Sequence, residues 1–512
     1  MKRFLILTVL VAGLHANWAR TFGGGMVEYG ANIIRTSDGG FAIAGSTFSY
    51  GSSGEMVLGK TDATGHLLWA KGFGGTSYEY GNAVAQTYDG GYAVVGLTYS
   101  YGAGGYDLFL VKTDASGTMQ WARTFGGSGY DQAHSVIQTA DSGLVVAGET
   151  QSFGSGPSEF LVTKFSSTGT LQWARTVGGT SVDEAFYMSA TSDGGYILAG
   201  RSGSFGSGYL VAKFNSGNTL DWARMISGGY YYSFIVAGTV IGALDGGYIV
   251  TMSGWDYGSG CDDIITVKLS STGAFEWGRA AGTPINDMGH GMVQTPDSGY
   301  VVSGATEEYN TGPMEMVVLK YAKDGTYLWA KSFDHDGTDD EAYCLTLASD
   351  NDIIVFGTYS NDFGISEFDP SGANCLAINW SPTVMAITPT ASSCSPTVTP
   401  ITATATSITP NAITITPPSA TQCELDLAES EAGNPFGMWV SEGKVHFTLP
   451  ADAKVSIRVY DACGRLVDVP WDGNLGQGKH EVGLSGLSCG VYMVEMLALD
   501  QRVMAKAVVA TQ

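Results

Sequence analysis

Six carboxylates hold one position in this chain. Counting back ten residues from Asp38, Asp89, Asp141, Asp193, Asp297 and Asp350 reaches Glu28, Glu79, Asp131, Asp183, Asp287 and Asp340. The same step from Asp245 reaches Ile235, in a unit that also carries an insertion with Tyr230, Tyr231 and Tyr232. Carboxylates beside aromatic rings suit a carbohydrate or a cation: the oxygens accept hydroxyl bonds, and rings stack on sugar faces. These nine residues are the candidate ligand contacts. The competing expectation is structural, each carboxylate accepting backbone N–H groups from a neighbouring Gly-Gly connection. His134 and His290 each follow an acid (Asp131, Asp287) by three residues, a spacing that offers acid–base chemistry. Only two units have that pair, and no motif marks a nucleophile, so no catalytic residue is assigned. A calcium loop is suggested by Asp334, Asp336 and Asp340, but the twelfth residue is Leu345 where the template needs Glu. Calcium at a looser site is the one cofactor the sequence leaves open.

These positions repeat because the chain repeats. Trp18, Trp69, Trp121, Trp173, Trp222, Trp277, Trp329 and Trp380 recur at spacings of 49 to 55 residues, and an Asp-Gly-Gly or Asp-Ser-Gly turn keeps the same beat. A period of that size indicates a solenoid or a propeller. One unit, residues 79–125, reads as four short strands: GNAVAQT, a tight DGG turn, YAVVGLTYS, a Gly/Tyr connection, LFLVKTD, a tight ASG turn, and TMQWARTF. Four antiparallel strands in about 50 residues make a propeller blade. Seven units predict an all-β, seven-bladed β-propeller over 17–380. The Trp is expected to anchor between adjacent sheets, and the strand at Trp18 to close the ring through blade seven, whose third strand carries Glu367 where the others carry Lys60, Lys112, Lys164, Lys213, Lys268 and Lys320. Tyr50, Tyr99, Tyr101, Phe153, Phe205, Tyr257 and Tyr309, in the loops between second and third strands, should share a face with the six acids.

Charge and composition narrow the partners. With 49 acidic and 25 basic residues the net charge is −24, which argues against nucleic acid, a ligand that wants a basic face. MKRFLILTVLVAGLHA reads as a signal peptide over 1–16, and no later segment is long and apolar enough for a transmembrane segment. Residues 381–430 are rich in Thr, Pro and Ser and are expected to be an extended, stiff linker; Ile/Val/Thr alternation offers strands instead. Residues 431–512 regain strand patterning and predict a small β-sandwich.

Within that last segment NPF (434–436), VYDACGRLV (459–467) and GLSCGVYMVEM (486–496) stand in order. Together they resemble the type A sorting tail of type IX secretion. The resemblance implies an immunoglobulin-like β-sandwich, export through the outer membrane by the secretion machinery, and tail cleavage with surface attachment or release. The repeats also resemble those of uncharacterised secreted bacterial propellers with such tails, which brings no activity. Of seven cysteines, Cys463 and Cys489 end and begin tail strands and are the disulfide candidate, geometry permitting. The expectation is an exported binding or adhesion module for a surface glycan, cation or protein. A polysaccharide hydrolase or lyase and a passive surface scaffold are the alternatives.

Overall fold

The computed structural model describes residues 18–227, 238–255, 262–307, 314–333 and 339–373 (except 52, 207 and 360), strand backbone between 378 and 424, and 439–441, 444–461, 466–484, 490–499 and 501–509. The chain forms two compact units. The larger one is a seven-bladed β-propeller. Blade 1 consists of Glu28–Arg35, Phe41–Thr47, Glu55–Thr61 and Leu67–Gly74, paired antiparallel in that order. Blades 2 to 6 repeat the pattern from Glu79, Asp131, Asp183, Thr239 and Asp287. Blade 7 takes Asp340–Leu347, Ile353–Tyr359 and Asp362–Phe368 from the end of the repeats, and its fourth strand, Trp18–Phe22, from their beginning. The N-terminal strand therefore closes the ring. The second and third strands are buried along nearly their whole length, so the core is a series of apolar layers between neighbouring sheets.

The segment expected to be a spacer is corrected by the sheet order, because its strands add a fifth strand to every blade. Ile378–Asn379 pairs with the fourth strand of blade 6, Thr383–Ile387 with blade 5, Thr390–Ser393 with blade 4, and Thr397–Ile401 with blade 3. Thr406–Ile408 and Asn411–Ile415 join blades 2 and 1, and Ser419–Glu424 joins blade 7. The chain thus runs back around the ring as a belt. Its composition fits: Thr, Ile and Val favour extended strands, and a Pro, which lacks an N–H, is tolerated on the outer strand of a sheet, as Pro400 is opposite Arg175. Pro382, Pro389, Pro396, Pro410 and Pro417 keep a beat of seven residues, with Ala403 at the missing place, all between belt strands.

The recurrent Trp and its basic neighbour join one blade to the next. From Trp69 to Trp329 the six rings are half-buried rather than enclosed between sheets. Five of them cover the Gly of the third turn of the following blade: Trp69 lies over Gly117, Trp121 over Gly169, Trp222 over Gly273, Trp277 over Gly325 and Trp329 over Gly372. These glycines have φ near +75 to +81°, and a Cβ there would strike the indole, so both backbone freedom and space demand Gly. The Arg two residues on stacks on its own Trp and donates to carbonyls of that turn. Arg123 lies 5.3 Å from the Trp121 ring, and its Nε donates to Gly169 O at 2.7 Å. Arg224 and Arg279 repeat this toward Gly273 and Gly325, and Arg20 toward Thr64, which carries the clasp across the ring closure.

At the same end of the blades, each turn Asp accepts from a buried Lys of its own third strand. Lys60–Asp38, Lys112–Asp89, Lys164–Asp141, Lys213–Asp193, Lys268–Asp245 and Lys320–Asp297 lie 2.7 to 3.1 Å apart. Blade 7 breaks the set. Glu367 is buried there, and burial together with Asp352 and Asp350 pushes its carboxyl up to about 8.

The smaller unit is a β-sandwich. Trp439–Ser441, Lys444–Leu449 and Gly478–Gly483 form one sheet; Leu466–Leu475, Ala453–Asp461, Gly490–Ala498 and Gln501–Val509 form the other. Val445, Phe447 and Leu449 from the first meet Val455, Ile457, Val459, Val494 and Met496 from the second in one apolar core.

Candidate functional site

Antiparallel order puts the connections between blades and the loops between second and third strands at one end of the propeller, opposite the tight turns. The six acids open the first strands at that end. Glu28, Glu79, Asp131, Asp183 and Asp287 are fully buried, and Asp340 is 1% exposed. Four of them receive the connections. Gly75 N donates to Glu79 at 2.8 Å, Gly127 N to Asp131 at 2.8 Å, Gly179 N to Asp183 at 2.9 Å and Thr283 N to Asp287 at 2.6 Å. Hydroxyls from the second strand and its loop add to these: Thr98 to Glu79, Thr150 and Ser152 to Asp131, and Ser202 and Ser204 to Asp183.

A second acid meets five of the first six. Five residues before the third-strand Lys (or Glu367) stand Glu55, Asp107, Glu159, Asp263, Glu315 and Asp362. A Cβ on Gly74 would overlap Glu55 Oε2 and lie 2.6 Å from Glu79 Oε2. Gly126 stands likewise between Asp107 and Asp131, and Gly282 between Asp263 and Asp287. Glycine is required because two carboxylates close over it. Burial pushes Asp107 up to about 7, with the nearby Asp131 charge adding to the rise, and burial lifts Asp287 to about 6. At the boundary of blades 4 and 5 the corresponding residues are Gly208 and Ile235, so both acids are missing together. The period that located the first acids would also have located the second.

Above this layer, side chains that vary from unit to unit form a surface. Tyr29, Tyr78, Tyr99 and Tyr130 are 46 to 47% exposed. Phe48 holds Tyr29, Tyr78 and Tyr80 at ring distances of 5.8 to 6.0 Å. Tyr106 holds Tyr99 at 5.2 Å and Tyr130 at 4.7 Å. Charged groups continue from Tyr106, whose hydroxyl senses both Glu149 and Glu184. Gln132 donates to Glu149, and Arg201 pairs with Glu184. Burial raises both Glu149 and Glu184. Blades 1 to 4 thus carry an aromatic sector running into a carboxyl cluster. Sequence reasoning missed Glu149 and Glu184: the equivalent positions hold Ser46, Leu97, Arg201, Ser253, Ala305 and Thr358 for the first and Tyr29, Tyr80, Gln132, Val236, Met288 and Glu341 for the second, so the repeat gives no signal that singles them out.

The loop aromatics divide. Tyr99 is exposed, whereas the Tyr50 and Tyr101 hydroxyls turn back to donate to Gly23 O and Gly74 O, and Phe153 packs on Phe125. His134 packs edge-on to Phe186, and burial drives it down to about 4. His290 stacks on Tyr343, with Nδ1 3.1 Å from Ala342 O, and is likewise lowered by burial. Tyr230, Tyr231, Tyr232, Asp334, Asp336, Cys463 and Cys489 lie outside the described residues. Among the described residues no three His, Cys, Asp or Glu side chains converge as a metal cage, and no helix is long and apolar enough to cross a membrane.

Residues 441–510 match the secretion system C-terminal sorting domain. That domain indicates a protein secreted or attached at the outer surface, and implies an encounter with the type IX secretion machinery. A stretch of 141 residues is 28% identical to the regulatory protein FlaEY of Caulobacter vibrioides, covering 25% of this chain and only 15% of that protein's length. Among solved structures, Drosophila Plexin A in complex with Semaphorin 1b is similar over 68% of this chain and 88% of its own, at 8% identity and a TM-score of 0.36. A eukaryotic initiation factor is similar over 72% of this chain and 98% of its own, at 10% identity and a TM-score of 0.30.

Proposed function

We propose that the propeller is an exported glycan-binding module and that its ligand lies on the aromatic sector of blades 1 to 4. The observation that carries this reading is the set of half-exposed tyrosines, Tyr29, Tyr78, Tyr99 and Tyr130, held by ring contacts beneath them. Rings fixed at a surface offer sugar-stacking area without a large ordering cost, and Gln132, Glu184 and Arg201 beside them supply hydroxyl partners. In this reading Glu79, Asp131, Asp183 and Asp287 brace the connections, and none of the six buried acids, Glu28 and Asp340 included, touches the ligand.

The test is a glycan array probed with the full chain, with and without calcium. Selective binding that Tyr99→Ala and Tyr130→Ala each weaken by about tenfold, roughly 1.4 kcal/mol, supports the reading. Binding that both variants leave intact moves the site elsewhere, and no binding at all favours a scaffold. A second reading, polysaccharide cleavage, draws on the adjacent carboxyls of Glu149 and Glu184. Release of new reducing ends by wild type, abolished in Glu149→Gln, is its signature.

A further inference from the structure

Glu149 is the penultimate residue of the second strand of blade 3, and Glu184 the second residue of the first strand of blade 4. Each has a cross-strand partner in register, Gln132 for Glu149 and Arg201 for Glu184. The Gln132 amide donates to Glu149 Oε1, and the Arg201 guanidinium holds Glu184. Glu149 Oε2 is left buried, with no hydrogen-bond donor from a neighbouring group, on a residue only 6% exposed, and it faces the Glu184 carboxyl across the blade boundary.

The charges around the pair do not balance it. Arg201 is the cation in contact. His134 also faces Glu184, but burial keeps it neutral through the neutral range. Asp131 adds a further negative charge toward Glu149. The Tyr106 hydroxyl, raised by burial, stays protonated, as does that of Tyr209, which faces Arg201. Two carboxyl groups meet face to face in such surroundings only with a proton between them, since like charges at contact in a dry site repel strongly.

We propose that Glu149 and Glu184 share one proton, and that its loss weakens binding at the aromatic sector as pH rises. The control passes through Tyr106, which lies against Tyr99 and Tyr130 and beside the pair. Without the proton the two carboxylates repel across the boundary of blades 3 and 4, and water enters beneath Tyr106. The regulatory half rests on the glycan-binding reading; the shared proton does not.

The experiment separates the two halves. Wild type, Glu149→Gln and, as an independent check, Glu184→Gln are compared as full chains. Glu149→Gln supplies an amide that donates to Glu184 without a titrating proton. Infrared difference spectra at neutral pH should show a neutral-carboxyl carbonyl band in wild type that Glu149→Gln lacks. The unfolding midpoint of the ligand-free propeller should fall more steeply with rising pH in wild type than in Glu149→Gln. Both carboxyls are raised, so the stabilisation is fully present below the ordinary Glu value and is lost as pH rises through the folded one. Matching spectra and parallel pH slopes overturn the shared proton, whether or not any glycan binds. For binding, the glycan bound on the array should be lost with rising pH in wild type and become pH-insensitive in Glu149→Gln. Binding that is equally pH-independent in both overturns the control while leaving the proton in place.

Discussion

Single residues in this molecule do more hydrogen-bonding than surface chemistry. Asp183 takes the Gly179 N–H and the Ser202 and Ser204 hydroxyls, and it is fully buried. Removing it leaves three donors without an acceptor in a dry place. Asp183→Ala should therefore cost about 2–4 kcal/mol, read as a lower urea midpoint for propeller unfolding. An exposed acid would give almost no change, so the measurement separates a brace from a surface ligand contact. Spacing alone put all six carboxylates on one beat, but it carried no information on whether their oxygens pointed to solvent or to backbone.

At the scale of elements, two joints hold the ring. In the clasp, Arg123 stacks on Trp121 and bonds three carbonyls, those of Ala122, Thr168 and Gly169. Arg123→Ala should lower stability by about 1–2 kcal/mol, and Arg123→Lys should recover only part of it, because a guanidinium fork is replaced by a point charge. The belt is the second joint. In blade 3, Val177 pairs with Val398, so the fourth strand is an interior strand and not an edge. Thr399→Pro removes a backbone N–H on the side of the strand opposite that of Pro400 and should speed amide hydrogen exchange around Arg175–Val177 while sparing the second and third strands of the same blade. Uniform exchange in all four strands would show that the belt does not protect the edge.

For the whole molecule, opposing titrations set a pH window. Burial works against it, but their Thr and Lys partners hold Asp89, Asp193 and Asp297 at about 2, and Lys164 with Thr139 does the same for Asp141. That stabilisation is present above the ordinary Asp value and is lost as pH falls toward 2. Asp287, Asp107 and Glu367, raised by burial to about 6, 7 and 8, act in the other direction. Their stabilisation is present at low pH and lost as pH rises through those values. Thermal stability should peak between roughly pH 4 and 6 and decline toward pH 8. Asp107→Asn should flatten the decline near pH 7. An optimum above pH 8 would mean that these carboxyls are not protonated in the folded chain.

The sequence by itself determined the number of blades, the turns, the closing strand and the sorting domain, because each is written in a local signal. A period of about 50 residues fixes the unit, Asp-Gly-Gly fixes a turn whose middle Gly needs positive φ, and strand chemistry repeats with it. Tertiary structure decided what the repeats do to one another. Residues 378–424 contain β-branched strands and prolines on a seven-residue beat, yet the partners of those strands lie from 46 to more than 340 residues away in the chain, and no local pattern names them. The pairing of Glu55 with Glu79, and of Glu149 with Glu184, arises the same way, from neighbouring blades. Local propensity selects strands and turns; which carboxylates share a dry boundary follows only once the ring has closed.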